Sequence, residues 1–298
     1  MEPEVHVGAS DPVATRPLLA RLRIVHPFPS TLDGLVAGAV AAGLGAPIPD
    51  AIRLGLAMVL IQGAIGAVND LVDAPVDAVA KPWKPIPAGL VRPSTVRRLA
   101  TGLAVAGLVL AAPSGPGVLA VAAAGLATGL LYDARFKGTP ASWIPFAIGI
   151  PLVPLYGALG AAATGAIVRP SIGALCLLAI PAGAGLAIAN AAADAAGDAS
   201  AGTRSIATAL GPARAWALGA LAVGGTAVVA AAVVASIHAP SAGGPPVVAL
   251  VALGVALVTL GLVLGRPGST ARARLGWELQ AAGLGIVAVA WVLARPLG

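Results

Sequence analysis

The sequence predicts an all-α integral membrane bundle of nine transmembrane helices around a central cavity. Three observations carry this: an apolar content too high for a globule in water, nine separated apolar stretches, and a one-sided distribution of positive charge. Of the 298 residues, 58% are hydrophobic and 10% charged, with a mean hydropathy of +0.94, whereas a water-soluble domain carries about 25% charged residues. At about 20 residues per span, this composition supplies roughly eight or nine helices. It excludes disorder, and the single Cys176, inside an apolar run, excludes a disulfide framework and reads as core packing. His6, His26 and His238 are scattered, without zinc-ligand spacing. The basic residues occupy short loops and form no cluster on a soluble face, which argues against nucleic acid as a partner. The 39 glycines and 26 prolines suit membrane helices, where small residues allow close backbone approach.

The elements follow from the breaks between apolar runs. A polar, proline-containing tail, 1–29, has no basic stretch followed by a short apolar one, so no cleavable signal peptide is expected there. The membrane domain occupies 30–298. Its first stretch, 30–47, is followed by 51–73, which runs into an acidic segment, and by 95–112, which begins after Arg92-Pro93. The turn Pro113-Ser114-Gly115-Pro116-Gly117 separates that third stretch from 115–133. Next come 141–163, 170–194 and 211–237, each opened by a Pro or Gly-Pro break, then 245–265 and 273–295. All nine are apolar on every side, unlike barrel strands, which alternate. If nine spans alternate in direction, 15 of the 18 Lys and Arg residues fall on one side and only Arg53, Arg169 and Arg295 on the other. The positive-inside rule makes the richer side cytoplasmic, with the N-terminus on it, in a multi-pass protein of the cell membrane.

Only 12 acids are present, and five form a repeated pattern. Asn69-Asp70-Leu-Val-Asp73-Ala-Pro-Val-Asp77 ends the second stretch, and Asn190-Ala-Ala-Ala-Asp194-Ala-Ala-Gly-Asp198 ends the sixth; Asn-x3-Asp-x3-Asp recurs at an offset of 121. Steps of three and four residues align such side chains on one helix face. Grouped acids at a membrane surface repel one another and need cations. The donors are hard oxygens without Cys or His, which suits magnesium arriving with substrate phosphates. Pro75 disfavours helix at Ala74 and leaves open whether Asp77 lies on the helix or on a following loop.

Complementary charge follows each acidic segment: Lys81-Pro-Trp-Lys84-Pro-Ile-Pro-Ala-Gly89 after the first, Gly202-Thr203-Arg204-Ser205 after the second, and Tyr132-Asp133-Ala-Arg135-Phe-Lys137 at the end of the fourth stretch. Carboxylates for metal beside Lys and Arg for an anion describe a diphosphate site at the membrane surface. A site of this kind, open to lipid, points to isoprenoid diphosphates, whose departing diphosphate leaves an allylic cation for aromatic faces to shield. Tyr132, Tyr156, Phe146 and Trp143 are the aromatics placed for that; Trp83 and Trp277 read as interfacial belt residues.

These residues resemble the UbiA superfamily of intramembrane prenyltransferases. Its Asn-Asp-x-x-Asp-x-x-x-Asp motif is matched by Asn69, Asp70, Asp73 and Asp77, and its Lys-Pro-x-Arg-Pro-x-x-x-Gly stretch is similar to Lys81 to Gly89, with Lys84 in place of Arg. Tyr132 and Lys137 resemble the family's pair after the fourth helix; Asp194, Asp198, Gly202 and Ser205 resemble its second motif. The resemblance implies a UbiA-like nine-helix bundle whose aspartates bind two Mg2+ ions, which hold the diphosphate. By it, Asn69, Asp73, Asp77, Asp194 and Asp198 are the metal ligands, and Asp70 either supports them or takes the acceptor's proton. Lys81, Lys84, Lys137 and Arg204 would meet the substrate, with Asn69 and Asn190 beside them, and Tyr132 would flank the cation. The implied reaction transfers an isoprenyl group from a prenyl diphosphate to a lipophilic or aromatic acceptor. A UbiA-like terpene cyclase, with the same metal site and no external acceptor, is the alternative. A cation transporter would carry its grouped acids at mid-span, whereas these cluster at one face, and a CDP-alcohol phosphotransferase would carry an Asp-Gly-x-x-Ala-Arg segment, which does not occur here. Arg21, Arg23 and His26, before the first span, either set topology or meet an acceptor.

Overall fold

The computed structural model describes residues 21–200, 203–237 and 244–294. Its ten α-helices are α1 (Pro27–Gly43), α2 (Ile48–Ala80), α3 (Pro93–Ala111), α4 (Pro116–Leu131), α5 (Trp143–Ala162), α6 (Ser171–Ser200), α7 (Ile206–Leu210), α8 (Pro212–Ile237), α9 (Gly244–Leu264) and α10 (Thr270–Leu293). Among the described residues, eight helices are long and apolar enough to cross a membrane. The helix of the first expected span, α1, has 17 residues, or about 25 Å against a hydrocarbon thickness of about 30 Å. The short α7 caps one end of the bundle, its Ser205 side chain accepting from the Thr208 N–H.

The two helices that carry the repeated Asn/Asp pattern are the longest. At about 1.5 Å per residue, the 33 residues of α2 reach about 50 Å and the 30 of α6 about 45 Å. About 20 residues exhaust the hydrocarbon, so Asn69 and Asn190 begin where each helix leaves it. The helix continues through Pro75 to Ala80, which places Asp77 on α2 rather than on a loop. Pro75 withholds one N–H, but bonding resumes beyond it: the Lys81 N–H donates to the Asp77 carbonyl at 2.8 Å. Membrane helices tolerate such prolines where the freed carbonyl is otherwise served.

Helix α2 packs between α1 and α3, α5 against α6, and α6 against α8; α10 pairs with α9 and closes the ring against α1 and α6. Glycines set the closest approaches. A Cβ at Gly38 would lie 2.9 Å from the Ala51 carbonyl oxygen, and one at Gly183 would lie 2.2 Å from that of Phe146. These positions bring α1 onto α2 and α6 onto α5 until backbones touch. Cys176 is half-buried against the main apolar cluster, as expected. Tyr156 departs from expectation: it is fully buried in that cluster, its hydroxyl donating to the Leu54 carbonyl at 3.4 Å, and it does not line the cavity.

Candidate active site

One cavity of about 1430 Å³ runs down the bundle, and its wall carries both acidic segments and all three basic ones. Asn69, Asp70, Asp73, Asp77, Lys81 and Lys84 line it from α2 and the loop that follows, and Asn190 and Asp194 from α6. Tyr132, Asp133 and Lys137 enter from the π-helical turn Tyr132–Phe136 that ends α4, and Arg204 from the loop before α7. These charged residues sit at one end of the cavity, and the faces of α4, α5 and α6 below them are apolar, including Val121, Phe146, Ile150, Val153 and Leu178. The side chain of Asp198 lies outside the described residues, as does Gly202.

Each described acid of the repeated pattern is paired with a lysine. Lys84 lies 2.9 Å from Asp70 and 2.6 Å from Asp77. Lys137 donates to Asp73 at 2.5 Å, and Lys81 reaches Asp194 at 3.4 Å, joining the first segment to the second. Asp70 and Asp77 are each only 4% exposed, so as bare carboxylates they would be costly. Burial alone would lower the Lys84 ammonium; the Asp70 charge and the contacts with Asp77 outweigh it and hold Lys84 above the usual lysine range.

Two further groups complete this layer. Asn69 donates to Asp133 at 2.6 Å. The second carboxylate oxygen of Asp133 is buried and finds no hydrogen-bond partner among the described residues. His26 reaches Asp70 at 3.2 Å from a left-handed backbone position, φ 47°, at the entry to α1. Gly66 makes room for it, since a Cβ there would lie 2.9 Å from the His26 side chain. The His26–Asp70 contact links residues 44 apart, and nothing in the local sequence announces it.

The aromatic expectations divide. Tyr132 packs edge-on against Phe146 with ring centroids 5.2 Å apart, both lining the cavity, and Lys137 lies 6.0 Å from the Tyr132 ring centroid. Trp143 does not line the cavity. Trp83 and Trp277, expected in the interfacial belt, both line it, Trp277 in edge contact with Phe28 at 5.8 Å. For Trp277 the reason is tertiary: α10 packs beside α1 and turns the face of Thr270, Arg274, Trp277 and Ala281 to the cavity.

The donors suit a hard divalent ion. They are carboxylate and amide oxygens, one of them a buried Asp133 oxygen without a hydrogen-bond partner among the described residues. No three acids among the described residues close on one point, and magnesium does not need them to. It keeps several waters and takes one or two carboxylates together with substrate phosphates.

The UbiA prenyltransferase family model matches residues 33–294. The chain is 37% identical over 107 residues to the digeranylgeranylglyceryl phosphate synthase of Methanopyrus kandleri, covering 36% of this chain and 39% of that protein. It is 30% identical over 207 residues to the chloroplastic chlorophyll synthase of Arabidopsis thaliana, covering 64% of this chain and 53% of that protein. The chain therefore spans about two fifths to one half of the length of these curated relatives. Among solved structures, a UbiA homolog from Archaeoglobus fulgidus bound to GPP and Mg2+ superposes with a TM-score of 0.64 at 20% identity, over 90% of this chain and 99% of that one. The apo UbiA homolog from Aeropyrum pernix K1 superposes with a TM-score of 0.67 at 21% identity, over 90% and 97%. At these identities the structural likeness is one of fold.

Proposed function

Because the chain belongs to the UbiA prenyltransferase family, we propose that it transfers an isoprenyl group from a prenyl diphosphate to a lipophilic or aromatic acceptor, with magnesium, inside the bilayer. The observation that carries this reading is the cavity whose charged end joins acids of both segments to Lys81, Lys84 and Lys137 and whose walls below are apolar. An amphipathic molecule with an anionic head and a hydrocarbon tail fits that division. The digeranylgeranylglyceryl phosphate synthases and the chlorophyll synthase are relatives, and the fold neighbour bound to GPP and Mg2+ shares this architecture; both support the reading.

Asn69, Asp73, Asp77, Asp194 and Asp198 would hold the magnesium, which supplies charge to neutralise the diphosphate as it leaves. Lys81, Lys84, Lys137 and Arg204 bind the diphosphate oxygens, with Asn190 beside them, the lysines exchanging carboxylate partners for phosphate ones. The apolar walls hold the tail and exclude water from the cationic end. Tyr132, kept edge-on by Phe146, turns its ring to the allylic carbon as positive charge develops there. Asp70, in contact with Lys84 and His26, takes the proton that the acceptor loses.

Membranes carrying the protein, incubated with labelled geranyl, farnesyl or geranylgeranyl diphosphate, magnesium and a panel of acceptors, test the reaction. Prenylated acceptor is the expected product; product formed without any acceptor would favour the cyclase. Asp73→Ala and Asp194→Ala are expected to lower turnover by more than about 100-fold, beyond the loss usual for residues that only orient a metal ligand. Normal activity in either, with the protein still folded, refutes the metal site.

A further inference from the structure

We propose that Asp33 and Gln62 form a second polar subsite, deeper in the same cavity, that receives a hydroxyl group of a neutral acceptor and excludes acceptors bearing a carboxylate at that end. The inference rests on the prenyl-transfer reading and adds to it the class of acceptor.

Asp33 on α1 and Gln62 on α2 both line the cavity, and the Gln62 amide donates to one Asp33 oxygen at 2.6 Å. The two helices run antiparallel, and this pair forms a second rung below His26–Asp70. Asp33 lies seven residues beyond His26, and Gln62 eight residues before Asp70. At 1.5 Å per residue the rungs are about 11 Å apart along the bundle, so the lower one stands level with the apolar wall of α4 to α6. The cavity is thus two-sided at this depth: hydrocarbon on one wall, where a prenyl tail lies, and hydrogen-bonding oxygen on the other.

A polar pair at this depth is costly, since an acid near mid-bilayer costs about 2.5–3.5 kcal/mol on insertion scales. Joining α1 to α2 does not account for it, because Gly34, Gly38 and Gly55 already bring those backbones together. Nor are the oxygens used up within the protein. The other Asp33 oxygen and the Gln62 carbonyl oxygen have no protein hydrogen bond among the described residues, and both residues are half-buried rather than sealed. What they present to the cavity is hydrogen-bond acceptors, beside a carboxyl group. Such a surface pairs with a hydroxyl and rejects an anion. A ring whose reacting atom lies under the carboxylate layer and whose far hydroxyl reaches Asp33 satisfies both rungs.

The test uses the full chain in detergent with magnesium and uncleavable geranyl S-thiodiphosphate, and titrates 2,6-dihydroxynaphthalene, 2-naphthol and 6-hydroxy-2-naphthoate by calorimetry, with and without the thiodiphosphate. The wild-type protein is expected to bind the diol at least 10-fold more tightly than 2-naphthol, and the carboxylate most weakly of the three. Asp33→Ala should bring diol and mono-ol within 2-fold and leave thiodiphosphate affinity unchanged. Asp33→Asn, which keeps an acceptor oxygen but no charge, should retain part of the diol preference and relieve the carboxylate penalty. Equal binding of diol and 2-naphthol by the wild-type protein overturns the proposal, and needs no variant to fold. An Asp33→Ala effect on the thiodiphosphate with the diol preference intact also overturns it. If the thiodiphosphate fails to bind, the prenyl-transfer reading is refuted, and the diol preference measured without it still decides the subsite.

Discussion

Replacing Lys84 with methionine removes an ammonium that serves two buried carboxylates at once, with little change in side-chain volume. Asp70 and Asp77 lie 2.9 and 2.6 Å from it. Breaking a buried pair from one side costs about 3–5 kcal/mol, because the partner is left charged in a poorly solvated place. The Lys84 side chain is 22% exposed and those of its partners 4% and 6%, and Asp70 keeps His26, so the lower end, about 3 kcal/mol, applies. At about 2 °C per kcal/mol for a chain of this size, Lys84→Met should lower the unfolding midpoint in EDTA by about 6 °C, followed by tryptophan fluorescence in detergent. Magnesium should then raise the midpoint of Lys84→Met more than that of the wild type. In the variant the ion supplies charge that the carboxylates lack; in the wild type it competes with a lysine already there. Equal midpoints in EDTA, or equal magnesium responses in the two proteins, would refute the view that Lys84 neutralises a carboxylate, Asp77, that also binds the ion.

Two other perturbations probe packing and orientation. Gly183→Ala places a Cβ 2.2 Å from the Phe146 carbonyl oxygen, a contact with backbone that can yield only if α5 and α6 separate. It should destabilise by about 1–3 kcal/mol and weaken prenyl diphosphate binding by moving Phe146; unchanged stability would show that the two helices tolerate a wider gap. For orientation, Pro87→Cys and Thr164→Cys in a Cys176→Ala background should label from opposite sides of sealed vesicles, Pro87 from the cytoplasmic side. Labelling of both from one side would overturn the alternation of spans.

Much of this protein is legible in its sequence because the relevant information is local. Apolar runs bounded by prolines and charges match most helix ends to within about four residues, since a segment of about 20 apolar residues has few alternatives to spanning a bilayer as a helix; α2 and α6 run on past the expected ends at 73 and 194, to Ala80 and Ser200. The Asn-x3-Asp-x3-Asp repeat marks the charged end of the cavity because it needs only one helix face to be recognised. Pro75 misleads for the same reason: its local preference favours a break, and the helix passes through it because bonding resumes at Asp77. A single acid such as Asp33, or an indole such as Trp277, carries no local pattern. Its meaning lies in what stands opposite on another helix.

By itself, the sequence determined that the chain is an all-α membrane bundle, and it pointed to the acids of the repeated pattern, of which Asp70, Asp73, Asp77 and Asp194 line one cavity; it expected nine spans, where eight of the described helices are long and apolar enough to cross a membrane. Charge and hydrophobicity act on each segment separately, and a bilayer reads them one segment at a time. Only the tertiary structure decided which lysine answers which carboxylate, that Tyr156 belongs to the core while Trp277 belongs to the cavity, and that Asp33 meets Gln62 beneath His26 and Asp70. Those pairings depend on how closely α1, α2 and α10 approach and how each is turned about its axis. Glycine contacts and side-chain volumes across the whole ring set both, and no single segment encodes them.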